Sequence, residues 1–184
     1  MRILRFCLAL GILLAPASAF ADDHRMDLYG GVSGGNGASK LVGYYQALAI
    51  AFHGSNPKLN RLSIVNDVSV QFAEHDTGKV SQVVYMVGAR YTFSRPPDSN
   101  KISAHFTLGT EYSNASGVGG NDGVYAVGVG YEFIPNPQST KLLDGVGVRM
   151  QVDRIVRPGG ENKDFWRVSG GLIYRFGQHG EPKR

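Results

Sequence analysis

A strict two-residue alternation near the C-terminus is the feature that most limits how this chain can fold. One face of the segment 166–177 carries large apolar and aromatic side chains, whereas the other carries small side chains and two arginines. Because side chains alternate across a β-strand, this pattern predicts a strand whose two faces meet different surroundings. The first face holds Trp166, Val168, Gly170, Leu172, Tyr174 and Phe176, and the second holds Arg167, Ser169, Gly171, Ile173 and Arg175.

The first 21 residues have the three-part pattern of a cleavable secretion signal. Arg2 and Arg5 form a short positive region, residues 6–16 are almost wholly apolar, and Ala19-Phe20-Ala21 is a small-x-small cleavage site. The apolar run is too short to be a membrane-spanning helix. We therefore expect cleavage after Ala21, which leaves 163 of the 184 residues in the mature chain.

The composition of the mature chain favours a single β-rich domain. Cys7 leaves with the signal, so the mature protein contains no cysteine and no disulfide. Removal of two arginines lowers the count of Lys and Arg from 19 to 17, against 15 Asp and Glu, a net charge of +2. This balance, without a dense basic stripe, gives no support to nucleic-acid binding. The 25 glycines favour short strands and tight turns.

Eight segments of the mature chain have the alternation of β-strands. Proline and glycine clusters separate them, as at Pro96-Pro97 and Pro135-Asn136-Pro137. The four connectors expected on the side of the barrel that faces outside the cell are 34–43, 73–80, 113–123 and 156–165. Eight strands with short connectors predict an all-β, eight-stranded antiparallel up-and-down transmembrane β-barrel. The predicted strands are 26–33, 44–53, 62–73, 81–93, 102–112, 124–133, 146–153 and 166–177.

Alternation alone leaves open which face points outward. A lipocalin-like barrel in water would bury the apolar face and expose one rich in Lys, Glu and Thr. Here the other face is mostly Gly, Ala and Ser with a few charges, which suits the narrow interior of an eight-stranded barrel. The large apolar face, with aromatic residues near strand ends, suits lipid. A closed barrel also satisfies every backbone amide and carbonyl, as a bilayer requires.

The mature chain resembles the small barrels of the outer-membrane-protein-A-like superfamily. The matching stretches are DLYGGVS (27–33), IVNDVSVQF (64–72), VGVRMQVDRI (146–155) and VSGGLIYRFG (168–177). The resemblance implies a porin-like barrel in the outer membrane of a Gram-negative bacterium, with both termini in the periplasm. Its expected partners are outer-membrane lipids, lipopolysaccharide and, during insertion, the barrel assembly machinery, and we expect a monomer. The expected domains are the signal peptide, 1–21, the barrel, 22–177, and a short polar tail, 178–184, without a peptidoglycan-binding domain.

The C-terminal strand also resembles the assembly signal of such barrels, a polar residue and a glycine followed by two aromatic residues near the end. The residues that match are Ser169, Gly171, Tyr174 and Phe176.

Charged residues on the predicted inner face form the most informative constellation. Four acids and four bases suggest a pairing network, because an unpaired charge in a poorly hydrated lumen is destabilising. Structural filling is the favoured interpretation, and a narrow ion path is the alternative. The predicted network contains Asp67, Arg90, Glu111, Glu132, Arg149, Asp153, Arg167 and Arg175.

The sequence offers little support for catalysis or for cofactors. His105 and Glu111 share a strand face but are about 20 Å apart along it, so they do not touch. No Gly-x-Ser-x-Gly elbow is present, and the five histidines lack metal-ligand spacing. We expect no catalytic residues, metal or other cofactor. The predicted function is a non-enzymatic role in envelope integrity or surface interaction; the alternatives are a narrow ion-conducting minor porin and an enzyme that modifies lipid A or phospholipids.

Overall fold

The computed structural model describes residues 25–36, 40–52, 58–75, 78–94, 99–115, 118–135, 145–158 and 164–176. The expected signal peptide and the polar tail lie outside the described residues. A short 3-10 helix, Leu59–Arg61, precedes the third of eight strands. The strands are β1 (Met26–Asn36), β2 (Lys40–Ala51), β3 (Leu62–His75), β4 (Gly78–Thr92), β5 (Asn100–Ala115), β6 (Val118–Phe133), β7 (Val146–Val156) and β8 (Phe165–Phe176).

The eight strands form a closed, all-antiparallel barrel, which confirms the predicted fold class. Each strand pairs with the next in sequence, and β8 pairs with β1 from Met26 opposite Phe176 to Gly35 opposite Arg167. We call the end where β1 begins and β8 ends the terminal end, and the opposite end the hairpin end. None of the helices in the described ranges has the length and apolar character needed to cross a membrane.

The two faces of the barrel wall differ sharply in polarity. The lumen face holds most of the charged and polar side chains, and nearly all of these are buried. The outer face presents an apolar belt that extends around all eight strands, as the alternation predicted. The exposed members of this belt include Val32, Val42, Tyr44, Ile64, Phe72, Val83, Tyr85, Val87, Ile102, Phe106, Leu108, Val127, Val129, Tyr131, Phe133, Val148, Met150, Trp166, Val168 and Leu172.

Three strand pairs reach further toward the hairpin end than the sequence predicted. The predicted connector 113–123 is wrong in most of its length, since β5 runs to Ala115 and β6 begins at Val118. Residues 119–123 are exposed on both faces of β6. Both faces of such a projecting hairpin meet the same surroundings, so no apolar alternation marks it. The connectors 34–43 and 73–80 are shortened in the same way.

Candidate functional site in the barrel lumen

All eight charged residues predicted to face inward have their side chains in the lumen. None is more than 4% exposed. They are distributed along the barrel axis in three groups, which we name the terminal cluster, the middle cluster and the rim pair.

The terminal cluster joins five strands through two carboxylates. Arg90 donates to Asp27 Oδ2 at 2.9 Å and to Glu132 Oε1 at 2.8 Å. Arg175 contacts the same two acids, with 2.6 Å to Asp27 Oδ1 and 3.2 Å to Glu132 Oε2. Arg149 also donates to Glu132. Because the two acids and three bases come from β1, β4, β6, β7 and β8, the cluster links distant parts of the wall across the lumen.

A buried tyrosine completes the terminal cluster. The Tyr29 hydroxyl accepts from Arg90, and its ring lies 4.4 Å from the guanidinium carbon of Arg149. A cation over an aromatic face is stabilised by the ring quadrupole, more strongly where water is excluded. Tyr29 therefore fills the lumen and supports two of the arginines.

The middle cluster is centred on Arg167, whose side chain is fully buried. Its two terminal nitrogens form a bidentate pair with Asp67 at 2.9 and 2.8 Å, and its Nε donates to Asp153 Oδ2 at 2.8 Å. Ser69 accepts a further bond of 3.0 Å. One guanidinium thus holds acids from β3 and β7 at once, and the planar fork of arginine suits this arrangement.

His105 belongs to the middle cluster and contacts Asp153 at 2.6 Å through Nε2. In a hydrolytic triad the histidine is the general base, an aspartate at one ring nitrogen orients it, and the other ring nitrogen contacts the nucleophile. The Nδ1 of His105 is buried and has no hydrogen-bond partner in the described part of the chain. The pair therefore lacks the third member of a triad.

A layer of apolar side chains from β4, β6, β7 and β8 lies between the middle cluster and the hairpin end. It contains Val84, Met86, Val124, Ala126, Ile155 and Phe165, all buried. Beyond it, Arg157 forms a bidentate pair with Glu111 at 2.8 Å for each contact and lies over the Phe165 ring. This rim pair lies at the hairpin end of the lumen.

Sequence reasoning missed three members of these groups. Asp27 lies in the predicted first strand but was not included in the predicted charge network. Arg157 was assigned to a loop, although its side chain reaches back to Glu111. His105 pairs with Asp153 on β7, two strands away, a contact that requires the register across β6. Alternation within the first strand could have identified Asp27; no local signal indicates the other two contacts.

The four residues of the predicted assembly signal lie along β8. Ser169 and Gly171 face the lumen, and Gly171 is opposite Gly31 of β1. A Cβ built on Gly171 would lie 2.5 Å from the Gly31 Cα, so the two strands approach too closely there for a side chain. Tyr174 and Phe176 lie at the terminal end, half-buried, with their rings stacked edge-to-face at 4.3 Å.

The described residues contain no group of three or more His, Cys, Asp or Glu that could hold a metal ion. The arrangement is instead dominated by guanidinium–carboxylate pairs, which hold opposite walls together. Its chemistry is that of a buried electrostatic framework.

Comparison with known proteins links this barrel to a structural class. No protein-family model and no curated protein matches the sequence significantly. Among solved structures, Neisserial surface protein A superposes with a TM-score of 0.59 at 12% identity, covering 84% of this chain and 98% of that one. The outer membrane protein OprG from Pseudomonas aeruginosa superposes with a TM-score of 0.57 at 7% identity, covering 84% of this chain and 97% of that one.

The outer membrane enzyme PagL gives a TM-score of 0.53 at 16% identity, covering 81% of this chain and 98% of that one. The same architecture is therefore found in an enzyme, and the likeness does not select an activity. The predicted resemblance is confirmed at the level of architecture: the chain has the fold of the small eight-stranded outer-membrane β-barrel proteins.

Proposed function

We propose that the protein is a non-enzymatic, monomeric barrel of the bacterial outer membrane, with both termini in the periplasm, that contributes to envelope integrity or surface interaction. The apolar belt supports the membrane assignment, because an exposed apolar surface of this extent is unfavourable in water but matches hydrocarbon. Its partners are outer-membrane lipids and lipopolysaccharide.

The observation that carries this proposal is the filled lumen. Ion pairs cross it at two levels, from Asp27 to Arg90 and from Asp67 to Arg167, and the apolar layer follows them toward the hairpin end. A hydrated ion would have to displace buried ion pairs and then pass the side chains of the apolar layer, which is unfavourable. The interior is therefore suited to holding the barrel rigid rather than to conduction.

The same interior argues against a hydrolase. A lipid-modifying site needs a nucleophile, a base and an acid at a surface that lipid can reach. His105 and Asp153 are buried in the lumen, and the second nitrogen of His105 contacts no nucleophile among the described residues. We therefore treat this pair as part of the framework.

Reconstitution tests the proposal in one preparation. Purified protein in planar bilayers should give no conductance steps above the lipid background, with a general porin as the positive control. The same protein incubated with lipid A and with phospholipids should release no fatty acid detectable by mass spectrometry. Stepwise conductance would favour a minor channel instead, and released acyl chains would favour an enzyme. A His105→Gln variant should leave both readouts unchanged.

The half-buried aromatic pair at the end of β8 leads to a prediction about assembly. Phe176→Ala removes one ring of the stack at the β1–β8 seam, where Met26 is opposite. We expect the folded fraction in the membrane to fall severalfold, because the barrel assembly machinery and the seam both lose this contact. Heat-modifiable mobility on a gel measures that fraction.

A chain that ends at Gly177 is the control for Phe176→Ala, since residues 178–184 contain no apolar side chain. It should fold almost as well as the full chain. Equal folding of Phe176→Ala and the parent protein would refute the assembly signal, and folding of the parent in plain buffer would refute the membrane assignment.

A further inference from the structure

One side of β6 has no partner strand at the hairpin end. On its other side, β6 pairs with β5 over its whole length, Val118–Phe133. The ladder with β7, in contrast, begins only at Tyr125, opposite Val156. Residues 118–124 therefore pair with β5 alone, and we call their unpaired side the β6 edge.

The β6 edge presents main-chain hydrogen-bonding groups that have no strand opposite them. In an antiparallel sheet, successive residues direct their amide and carbonyl groups to alternate sides, so about half of the residues in 118–124 direct both groups away from β5. No main-chain hydrogen bond reaches this side from any part of the chain that the structure describes. Such a row of donors and acceptors is a template for an added strand.

The β6 edge also lacks the features that usually protect an exposed strand. Lysine, proline and bulges normally block strand addition. The segment 118–124, VGGNDGV, contains neither lysine nor proline, and its register with β5 has no bulge. Residues 119–123 are exposed, and a Cβ built on Gly120 or Gly123 would meet nothing within 4 Å. The main chain is therefore accessible to a partner.

A negative charge at the β6 edge selects the chemistry of that partner. Asp122 is exposed, and it lies opposite Glu111 of β5, whose carboxylate is already paired with Arg157. No base contacts Asp122 itself within the described ranges. In an added strand, the residue opposite Asp122 has its Cβ about 5 Å away. A lysine or arginine there compensates the charge of Asp122, whereas an acid is repelled.

We propose that the β6 edge binds an extended basic segment of another protein, which adds a strand to the sheet beyond the end of β7. Main-chain hydrogen bonds provide the affinity, and the pairing of a basic side chain with Asp122 provides the selectivity. The inference rests on the proposed function in one respect, the location of the hairpin end outside the cell.

A second copy of the protein fits the β6 edge less well than a basic segment. Antiparallel pairing of two identical edges about Asn121 places each Asp122 opposite Gly120 of the other copy. The two Asp122 side chains are then diagonal neighbours on one face, and like charges about 7–8 Å apart repel each other. A basic segment avoids this repulsion and agrees with a monomeric barrel.

A labelled seven-residue peptide of alternating lysine and threonine is the probe, and its fluorescence anisotropy measures binding to the full barrel in an uncharged detergent. The matched control is the same peptide N-methylated at every residue, which keeps its charges but donates no main-chain hydrogen bond. We expect it to bind at least about tenfold more weakly, because several hydrogen bonds are lost. A peptide with glutamate in place of lysine should also bind more weakly.

Asp122→Lys tests the selectivity, since it should reverse the preference and favour the glutamate peptide over the lysine peptide. Asp122→Asn, the second variant if Asp122→Lys folds poorly, should bind both peptides about equally. No binding of the lysine peptide, equal binding of its N-methylated form, or an unchanged preference in the Asp122 variants would overturn the proposal.

Hydrogen exchange examines the main chain of the β6 edge directly. In the protein alone, alternate amides of residues 118–124 should exchange fast, and the lysine peptide should slow them. Slow exchange of all these amides without peptide would show that the chain covers its own edge, and would also overturn the proposal. Binding in detergent but not to intact cells would instead show that the hairpin end does not face outward, which is a failure of the proposed function and not of the β6 edge.

Discussion

Replacing Arg167 with methionine is expected to lower the free energy of unfolding by about 3–5 kcal/mol, the cost typical of leaving buried charges without their partner. Arg167 is the only base that contacts Asp67 among the described residues, and it also holds Asp153. Methionine fills a similar volume but provides no donor, so Asp67 would lose its only base among the described residues and Asp153 would keep only His105 and Gln151. Urea unfolding in detergent, followed by fluorescence of the single tryptophan, Trp166, measures the change.

Arg154→Met is the matched control for this experiment. Arg154 forms an ion pair of 2.7 Å with Asp164, but its side chain is 57% exposed. Exposed pairs contribute little, so we expect a loss below about 1 kcal/mol. Adding Asp67→Asn to Arg167→Met should restore part of the lost stability, because it removes the carboxylate that Arg167→Met leaves without a base. A loss in Arg167→Met no larger than that in Arg154→Met would show that the middle cluster is not what stabilises the lumen.

Gly88→Ala is expected to have the second large effect, a loss of about 1–3 kcal/mol or more from a side chain that has no room. A Cβ at this position would lie 2.6 Å from the Thr107 Cα and 2.8 Å from the Phe106 carbonyl carbon of the neighbouring strand. Those atoms are part of the β4–β5 ladder, in which Gly88 pairs with Thr107, and they cannot move without opening it. Glycine thereby permits the sharp bend that a narrow barrel needs.

Gly123→Ala provides the comparison, because a Cβ there meets nothing within 4 Å and the residue is exposed. Its effect should stay within about 0.5 kcal/mol, as is usual for surface positions. The midpoint of thermal unfolding in detergent compares the two variants. Similar midpoints for Gly88→Ala and Gly123→Ala would mean that the wall can relax around the added methyl group.

The strands and their faces were predictable because each depends on a local pattern. In β7, for example, the alternation assigns Arg149 and Asp153 to the lumen without reference to any other strand, and the structure places both there. The hairpin formed by β5 and β6 was missed at its tip because 119–123 meet water on both sides, which removes the pattern on which the prediction depends.

The contacts inside the lumen were not predictable because they depend on the stagger of strands that are far apart in sequence. Arg167 on β8 contacts Asp67 on β3, 100 residues away in sequence. The residues around each of them give no indication of which partner it contacts. The balance of four acids and four bases indicated that pairing occurs, but not which pairs form.

The pairing of Asp27 with Arg175 has a consequence for the order of events during insertion. These residues lie 148 positions apart in sequence, on the first and last strands of the barrel. Their contact therefore forms only after β8 has reached β1. Until then Asp27 and Glu132 both lack Arg175, and an open sheet would present the charges of its inner face to hydrocarbon. We therefore expect seam closure and withdrawal from water to occur in the same step, so that the chain enters the bilayer as a nearly finished cylinder rather than strand by strand.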